Sequence, residues 1–533
     1  MKKLLCAVLT AALLCGCAAA PAVTTGPAES TADAADRWML EKGGLEILVP
    51  GGMAENAITA ANDIVCYEAG HGADYGEGEE HEAHTAEEAA AHTVVHITRP
   101  GTYILSGKLS LGQIAVDLGE DAKNDPNAVV TLILDGLDIT CQVAPAIIFY
   151  NVYECGDPEH PKADVDTSAA GANVILAEGS ENRVVGSHVA KIYKPGTEKK
   201  LHKYDAAFYS RMSMNIGGEG SLHIEADNEG LDSEMHLTIN GGEISIESGN
   251  DGINTNEDGV SVTTVNGGSL YIQVTGGTGE GDGIDSNGWL VINGGTVEAY
   301  ACSSSGDSGI DSDMGIEING GTVISTGNML DQIDENSQTH LVFTFAESQQ
   351  LPQFTLKDSQ GTTVLQCQTP NAFTNLLLSS PDIAEGTYTL WAGDTQFEGV
   401  TGNGSGFFGQ FQPIDRPDFP DFPGNGEGGD VEIPPQPTTP IVTQGTVQPP
   451  PPGEQPENMP VPQFPQGGEG QMPTPPIPEG SGDMPMPELP DGVTPPQDGG
   501  GRQPNQIVTG VLSTEFAVTR GANYFMNVRA VQK

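Results

Sequence analysis

The chain has 533 residues, only 37% of them hydrophobic, with 70 glycines and 38 prolines. So much glycine excludes a helix-rich architecture, because each one in a helix interior costs roughly 1 kcal/mol relative to alanine. Asp and Glu number 73 against 21 Lys and Arg, a formal charge of −52, which repels phosphates and anionic membranes, gathers cations and excludes nucleic acid as a partner.

Lys2 and Lys3 precede an apolar run from Leu4 to Leu14, too short to span a bilayer and shaped like an export signal. Leu14-Cys15-Gly16-Cys17 resembles a bacterial lipoprotein signal with Cys17 as the lipidated residue, so residues 1–17 read as a lipoprotein signal peptide. Cys15 is an unusual occupant of its position, and cleavage near Ala18-Ala19-Ala20 is the alternative. No other stretch stays apolar for ~18 residues, so the lipid is the only membrane contact expected of a monomer at the outer face of a bacterial cell. Residues 18–92 read as a tether and an acidic segment in which His71, His81, His84 and His92 stand among glutamates. Without a recurring ligand spacing, this is a solvated loop before it is a transition-metal site. Cys66, Cys141, Cys155, Cys302 and Cys367 also lack metal spacing. Cys141 and Cys155 either close a loop outside the cell or stay unpaired.

From Thr93 the pattern turns to β. Val94-Val95-His96-Ile97, Thr102-Tyr103-Ile104-Leu105 and the run from Val129 to Ile139 are strand-like and punctuated by Pro100-Gly101. An internal repeat follows: Asn240-Gly241-Gly242, Asn266-Gly267-Gly268, Asn293-Gly294-Gly295 and Asn319-Gly320-Gly321 recur every 26 or 27 residues, with a degenerate copy at Gly217-Gly218. Alternating strands flank each copy, such as Leu237-Thr238-Ile239 before and Ile244-Ser245-Ile246 after. A straight unit of ~26 residues would reach ~85 Å. It must fold back, and stacking such units at ~4.8 Å buries one continuous aliphatic column. The fold class expected is all-β, a parallel β-helix over 93–350 with capping strands over 351–411. Residues 412–506 are a Pro/Gly-rich, disordered or polyproline segment, and 507–533 regain short strands that either dock back or fray.

Each repeat also carries an acidic tetrad: Gly230-Leu231-Asp232-Ser233, Gly252-Ile253-Asn254-Thr255, Gly283-Ile284-Asp285-Ser286 and Gly309-Ile310-Asp311-Ser312. With the aliphatic residue pointing in, Asp232, Asn254, Asp285 and Asp311 stack as an exposed column. Glu234, Asn256, Asn287 and Asp313 form a second column, and Glu229, Asp251, Asp282 and Asp307 occupy the preceding turn. Carboxylates ~4.8 Å apart raise one another's pKa unless a cation lies between them. Calcium, which takes six to eight oxygens, suits such a lattice. The alternative is a solvated face whose Asx residues stabilise turns. Trp289 shares the outward phase of Asp285 and Asn287 unless the corner at Gly288 shifts it, and Tyr271 and Tyr300 alternate outward. These three are the candidate sugar-stacking residues. Gly404-Ser405-Gly406-Phe407-Phe408-Gly409 matches a dinucleotide fingerprint by letter but opens a Pro-rich stretch where a helix is needed.

The order Gly101-Thr102-Tyr103-Ile104-Leu105-Ser106-Gly107, Leu132-Ile133-Leu134-Asp135-Gly136-Leu137-Asp138-Ile139-Thr140, the Asn-Gly-Gly repeats and Gly386-Thr387-Tyr388-Thr389-Leu390 resembles secreted clostridial carbohydrate-binding-domain-containing β-helix proteins over roughly 93–399. The resemblance implies a right-handed parallel β-helix related to pectate lyases, carrying calcium and binding cellulose or polygalacturonate without cleaving it. It does not account for the insertion from Asn151 to Ala170 or the Lys/His-rich stretch from Lys191 to Tyr204. A pectate-lyase-like enzyme is the main rival, yet no Lys or Arg occurs between Arg211 and Lys357, which removes the usual base from the repeats and leaves only Lys203 or Arg211, from an upstream coil, to reach the face. A glycosidase using paired carboxylates and a structural adhesin are the other readings.

Overall fold

The computed structural model describes residues 35–40, 43–64, 85–189, 204–402 and 510–532, with the backbone of 192–193 and 200–202. The signal peptide, Cys17, Cys66, three of the four segment histidines and the Pro-rich segment lie outside these residues. Among the described residues, helix is confined to Ala86–Ala91, capped by Thr85 and Glu88, and a 3₁₀ turn at Glu120–Asn124. No described helix is long and apolar enough to cross a membrane.

Each repeat contributes three strands, and each strand hydrogen-bonds in parallel to its counterpart one repeat on. In the first sheet Leu237 lies opposite Thr263, Thr263 opposite Leu290, and Leu290 opposite Ile316. The second sheet runs through Glu181–Gly186, Ser221–Ala226, Glu243–Ser248, Ser269–Val274, Thr296–Tyr300 and Thr322–Gly327. Gly101–Leu109 and Val130–Thr140 are long enough to bend across the first and second sheets, joining them. The third sheet runs through Thr93–Ile97, Gly112–Asp117, Ile147–Asn151, Ala206–Ser210, Glu229–Ser233, Ile253–Thr255 and Ile284–Ser286.

Alternation puts one residue in two inside. Leu132, Val174, Ile216, Ile239, Val265, Ile292 and Ile318 stack down the first sheet, while Ile147, Phe208, Leu231, Ile253, Ile284 and Ile310 stack down the third, all buried. Each such side chain contributes about 1.5–3 kcal/mol by leaving water. The Asn-Gly-Gly corner needs both glycines for different reasons. The second adopts φ of 86° at Gly268 and 79° at Gly295, a left-handed region that L side chains avoid. The first passes so close to the repeat before it that a Cβ on Gly294 would lie 2.8 Å from the Asn266 carbonyl oxygen.

The parallel stack ends where Thr322–Gly327 pairs antiparallel with Phe373–Ser379. A mixed C-terminal sheet begins there, and its strand His340–Gln349 starts ahead of the boundary expected at residue 351. The terminal strands Phe516–Val518 and Ala522–Ala530 join it beside Gly386–Ala392, Thr395–Gly402 and His340–Gln349. Its core is aromatic: Phe343, Phe345, Phe354, Phe373, Phe397, Phe516 and Phe525 pack with ring centroids 4.8–5.7 Å apart. Cys155, Cys302 and Cys367 are free thiols, so Cys155 makes no bridge to Cys141.

Candidate functional site

The acidic residues lie on the third sheet. Register sets Asp232 opposite Asn254 and Asn254 opposite Asp285, and the bridge from Ile284 to Ile310 brings Asp311 alongside. The second column keeps the same register through backbone bonds at Glu234, Asn256, Asn287 and Asp313. Glycine makes this closeness possible: a Cβ on Gly283 would lie 2.3 Å from the Gly309 carbonyl oxygen.

The column is not the exposed face that alternation predicts. Asp232 is fully buried, Asn254 is 8% exposed, and Glu229 and Asp251 are buried too. Asp282, Asp285, Asp307 and Asp311 are half-buried, and Asp313 alone lies open. Alternation fixes which way a side chain points and not what packs against it, so a period-two pattern cannot foresee this burial. Asp205, which sequence reasoning missed, enters at the same place because Ala206 pairs with Glu229. Carboxylate oxygens of Asp205, Glu229 and Asp232, all buried, come within 4.8 Å of one another. Its repeat lacks the Gly-aliphatic-Asp tetrad, so no signal marked it.

Donors reach some of these oxygens. Asn256 Nδ2 donates to Asp232 Oδ1 at 2.6 Å and Asn254 Nδ2 to Glu229 Oε1 at 3.3 Å. At the turns, the backbone N–H of Asp282 donates to Asp251 Oδ1 at 2.7 Å, that of Ser308 to Asp282 Oδ1 at 2.6 Å, and that of Gly281 to Asp307 Oδ2 at 2.5 Å. These bonds tie each repeat to the next. They do not offset burial: Asp251 and Asp282 are pushed well above the carboxylate range, by desolvation first and neighbouring carboxylates second. Burial, then Asp313 and Asp307, pushes Asp311 up to about 6. Asp313 is raised by burial and Asp258. Burial and Asp311 push Asp331, a second residue the sequence reading missed, up to about 7. The donor set is carboxylate and amide oxygen throughout, which fits a hard cation such as calcium and not a metal that prefers nitrogen or sulfur.

The aromatic candidates lie elsewhere. Trp289 is half-buried and begins the strand Trp289–Ile292 of the first sheet, opposite Val262 and Gly315. The Gly288 corner therefore carries it off the acidic wall. Tyr271 and Tyr300 do leave the inner core, as alternation requires, but the C-terminal sheet covers them. Tyr300 is 0% exposed, packs edge-on to Tyr271 at 5.5 Å and donates its hydroxyl to Glu298. Tyr271 is half-buried against the same aromatic core. Tyr300 therefore offers no ring face to a sugar.

A groove of about 780 Å³ runs instead along the first sheet. Its floor takes one side chain from each repeat, Asn173, Asn215, Thr238, Thr264, Val291 and Glu317 in register. One edge is the row of corner asparagines. Asn266 Nδ2 donates to Asn240 Oδ1, Asn293 to Asn266 and Asn319 to Asn293, at 2.9, 2.9 and 3.0 Å. Residues 163–168 of the insertion form the other edge.

With this geometry in view, the likenesses to known proteins take on meaning. A family model described as carbohydrate-binding domain-containing protein matches residues 91–156 and 158–351. A protein of the same description from Acetivibrio thermocellus is 30% identical over 156 residues, which is 29% of this chain and 45% of that protein. The chain thus spans less than half the length of that relative. A solved polysaccharide lyase-like protein from C. thermocellum, a gadolinium derivative, aligns at 24% identity and a TM-score of 0.29, over 43% of this chain and 84% of that one.

Proposed function

We propose that the protein is a non-catalytic, calcium-dependent polysaccharide-binding protein of the bacterial surface, wound as a right-handed parallel β-helix and anchored through Cys17. The observation that carries the calcium reading is the in-register column of buried and half-buried carboxylates on the third sheet. Packed like charges of this kind call for a cation. Asp205, Glu229, Asp232 and Asn254 would hold one ion, and the turn carboxylates Asp251, Asp282 and Asp307 with Asp311 and Asp313 would hold others. Calcium there neutralises the wall and offers open coordination to sugar oxygens of cellulose or a pectin-like acidic glycan. The match to a carbohydrate-binding family over 91–351 supports the polysaccharide, and three parallel sheets around one aliphatic core support the β-helix.

A lyase would need a base in the repeats, where no Lys or Arg occurs between Arg211 and Lys357. The test is retention on insoluble cellulose and on polygalacturonate, with calcium and with chelator, while reducing ends and unsaturated products are followed. Calcium-dependent retention without product is expected. Retention unchanged by chelator would sink the calcium mechanism, and product release would make the protein an enzyme.

A further inference from the structure

The groove on the first sheet stands apart from the acidic wall, and its chemistry selects a different class of polymer. Its charged lining residues are Asp164, Asp166 and Glu317, and none of the residues lining it is basic. A glycan bearing carboxylates or sulfates would meet like charge along a protein already at −52. The uncharged partners are Asn and Thr, repeated at ~4.8 Å from one repeat to the next. A side-chain amide has two donors and two acceptor lone pairs. Within the corner row Asn266 and Asn293 each spend one N–H and one lone pair on their neighbours, which leaves one of each for a ligand. Sugar hydroxyls, each both donor and acceptor, match that pattern.

The same row changes character at one end. The position of Asn240 is taken in the preceding repeats by Gly217 and then Ile175. Ile175 is 41% exposed, and a Cβ on Gly217 would touch only Asn240. An apolar ledge beside a line of amides suits a ring with one carbon–hydrogen face and polar edges. The insertion sets the far wall: the Thr167 hydroxyl lies 2.7 Å from both Asn215 Oδ1 and Thr238 Oγ1, and Asn215 Nδ2 donates to the Thr167 carbonyl at 2.8 Å. It bridges the floor at those two repeats, and beyond it the floor is formed by the largely buried Thr264 and Val291 and the half-buried Glu317. The floor spans five inter-repeat steps, about 24 Å, with the insertion bridging it at Asn215 and Thr238, so the lining is that of a trough for a strand and not a pocket for one sugar.

We propose that this groove binds an uncharged polysaccharide strand lying along the stack, walled on one side by the insertion 151–170. The proposal rests on the polysaccharide-binding reading and adds the class of polymer and its place. The test compares the full chain with Gly217→Phe, which fills the trough, and Ile175→Asp, which charges its ledge. Both positions are open enough to fold, and circular dichroism with thermal unfolding checks that they do. Retention is measured on amorphous cellulose, on soluble hydroxyethyl cellulose by affinity electrophoresis, and on polygalacturonate with calcium. Each variant is expected to bind the two uncharged polymers about tenfold more weakly, with polygalacturonate retention unchanged. Folded variants that keep their affinity for the uncharged polymers overturn the groove assignment and leave polysaccharide binding standing. Wild-type retention on polygalacturonate alone overturns the uncharged class. No retention on any polymer removes the underlying reading and this proposal with it.

Discussion

Two rows of Asx residues climb the same stack on different walls, and they solve the problem of close repetition in opposite ways. The corner asparagines Asn240, Asn266, Asn293 and Asn319 hand a hydrogen bond from each to the next at 2.9–3.0 Å. An amide carries donor and acceptor together, so identical residues can repeat at strand spacing without a mediator. The third sheet places Asp232, Asn254, Asp285 and Asp311 in an equally regular register, but an ionised carboxylate only accepts. There the structure interleaves amides, with Asn254 between two aspartates and Asn256 donating to Asp232, and draws backbone N–H groups into Asp251 and Asp282. Neighbouring carboxylates still raise one another, as at Asp251, Asp282 and Asp311. The difference is why we take the asparagine row as a frame and propose the acidic column as a place for cations.

Removing the aliphatic support should affect both walls alike and most strongly. Ile239→Ala under the amide row and Ile253→Ala under the acidic column should each cost about 2–5 kcal/mol in urea unfolding, and a large gap between them would mean the two cores are not equivalent. Exchanging the two chemistries comes next. Asn266→Asp puts a bare acceptor between Asn240 and Asn293 and should destabilise by about 1–3 kcal/mol; an unchanged midpoint would show that the amide row does not hold the corners. The reverse exchange, Asp285→Asn, removes a like charge and should stabilise the chelated protein by up to about 1 kcal/mol while weakening calcium binding measured by titration calorimetry.

The acidic wall should also differ from the amide row in its response to pH. Asp311 and Asp331 are pushed up to about 6 and about 7, above the unfolded value of about 3.9. The folded protein therefore holds its protons more tightly, so the stability these groups contribute is full below about pH 4 and is lost as pH rises through about 7. In chelator the melting temperature should fall across that window, and saturating calcium should flatten the curve. A melting temperature that climbs from pH 4 to 7 in chelator would contradict the raised values.

Much of this was legible in the letters because it is local and periodic. The 26- or 27-residue Asn-Gly-Gly spacing and the period-two alternation fall from backbone geometry, and the first sheet keeps them: Leu237, Thr263, Leu290 and Ile316 stand opposite one another. The acidic tetrads also met in register. Their burial was not legible, because it depends on groups brought in from other segments, such as Asp205 beside Glu229 and Asp232, which leave no periodic mark. Asp205 and Asp331 were missed for the same reason, since each approaches the wall from a segment without the tetrad.

The aromatic candidates show the boundary most clearly. Alternation sends Tyr271 and Tyr300 out of the inner core and cannot say what waits outside. The C-terminal sheet, completed by strands more than 200 residues downstream of Tyr300, does wait there, burying Tyr300 and covering part of Tyr271. The sequence by itself determined the all-β character, the repeat and the identity of the inward residues, because each depends on neighbours a few positions away. Only the tertiary structure decided which outward residues meet water, which meet one another across repeats, and which line the groove beneath the insertion. Those outcomes depend on contacts between segments far apart in the chain, and no local pattern encodes them.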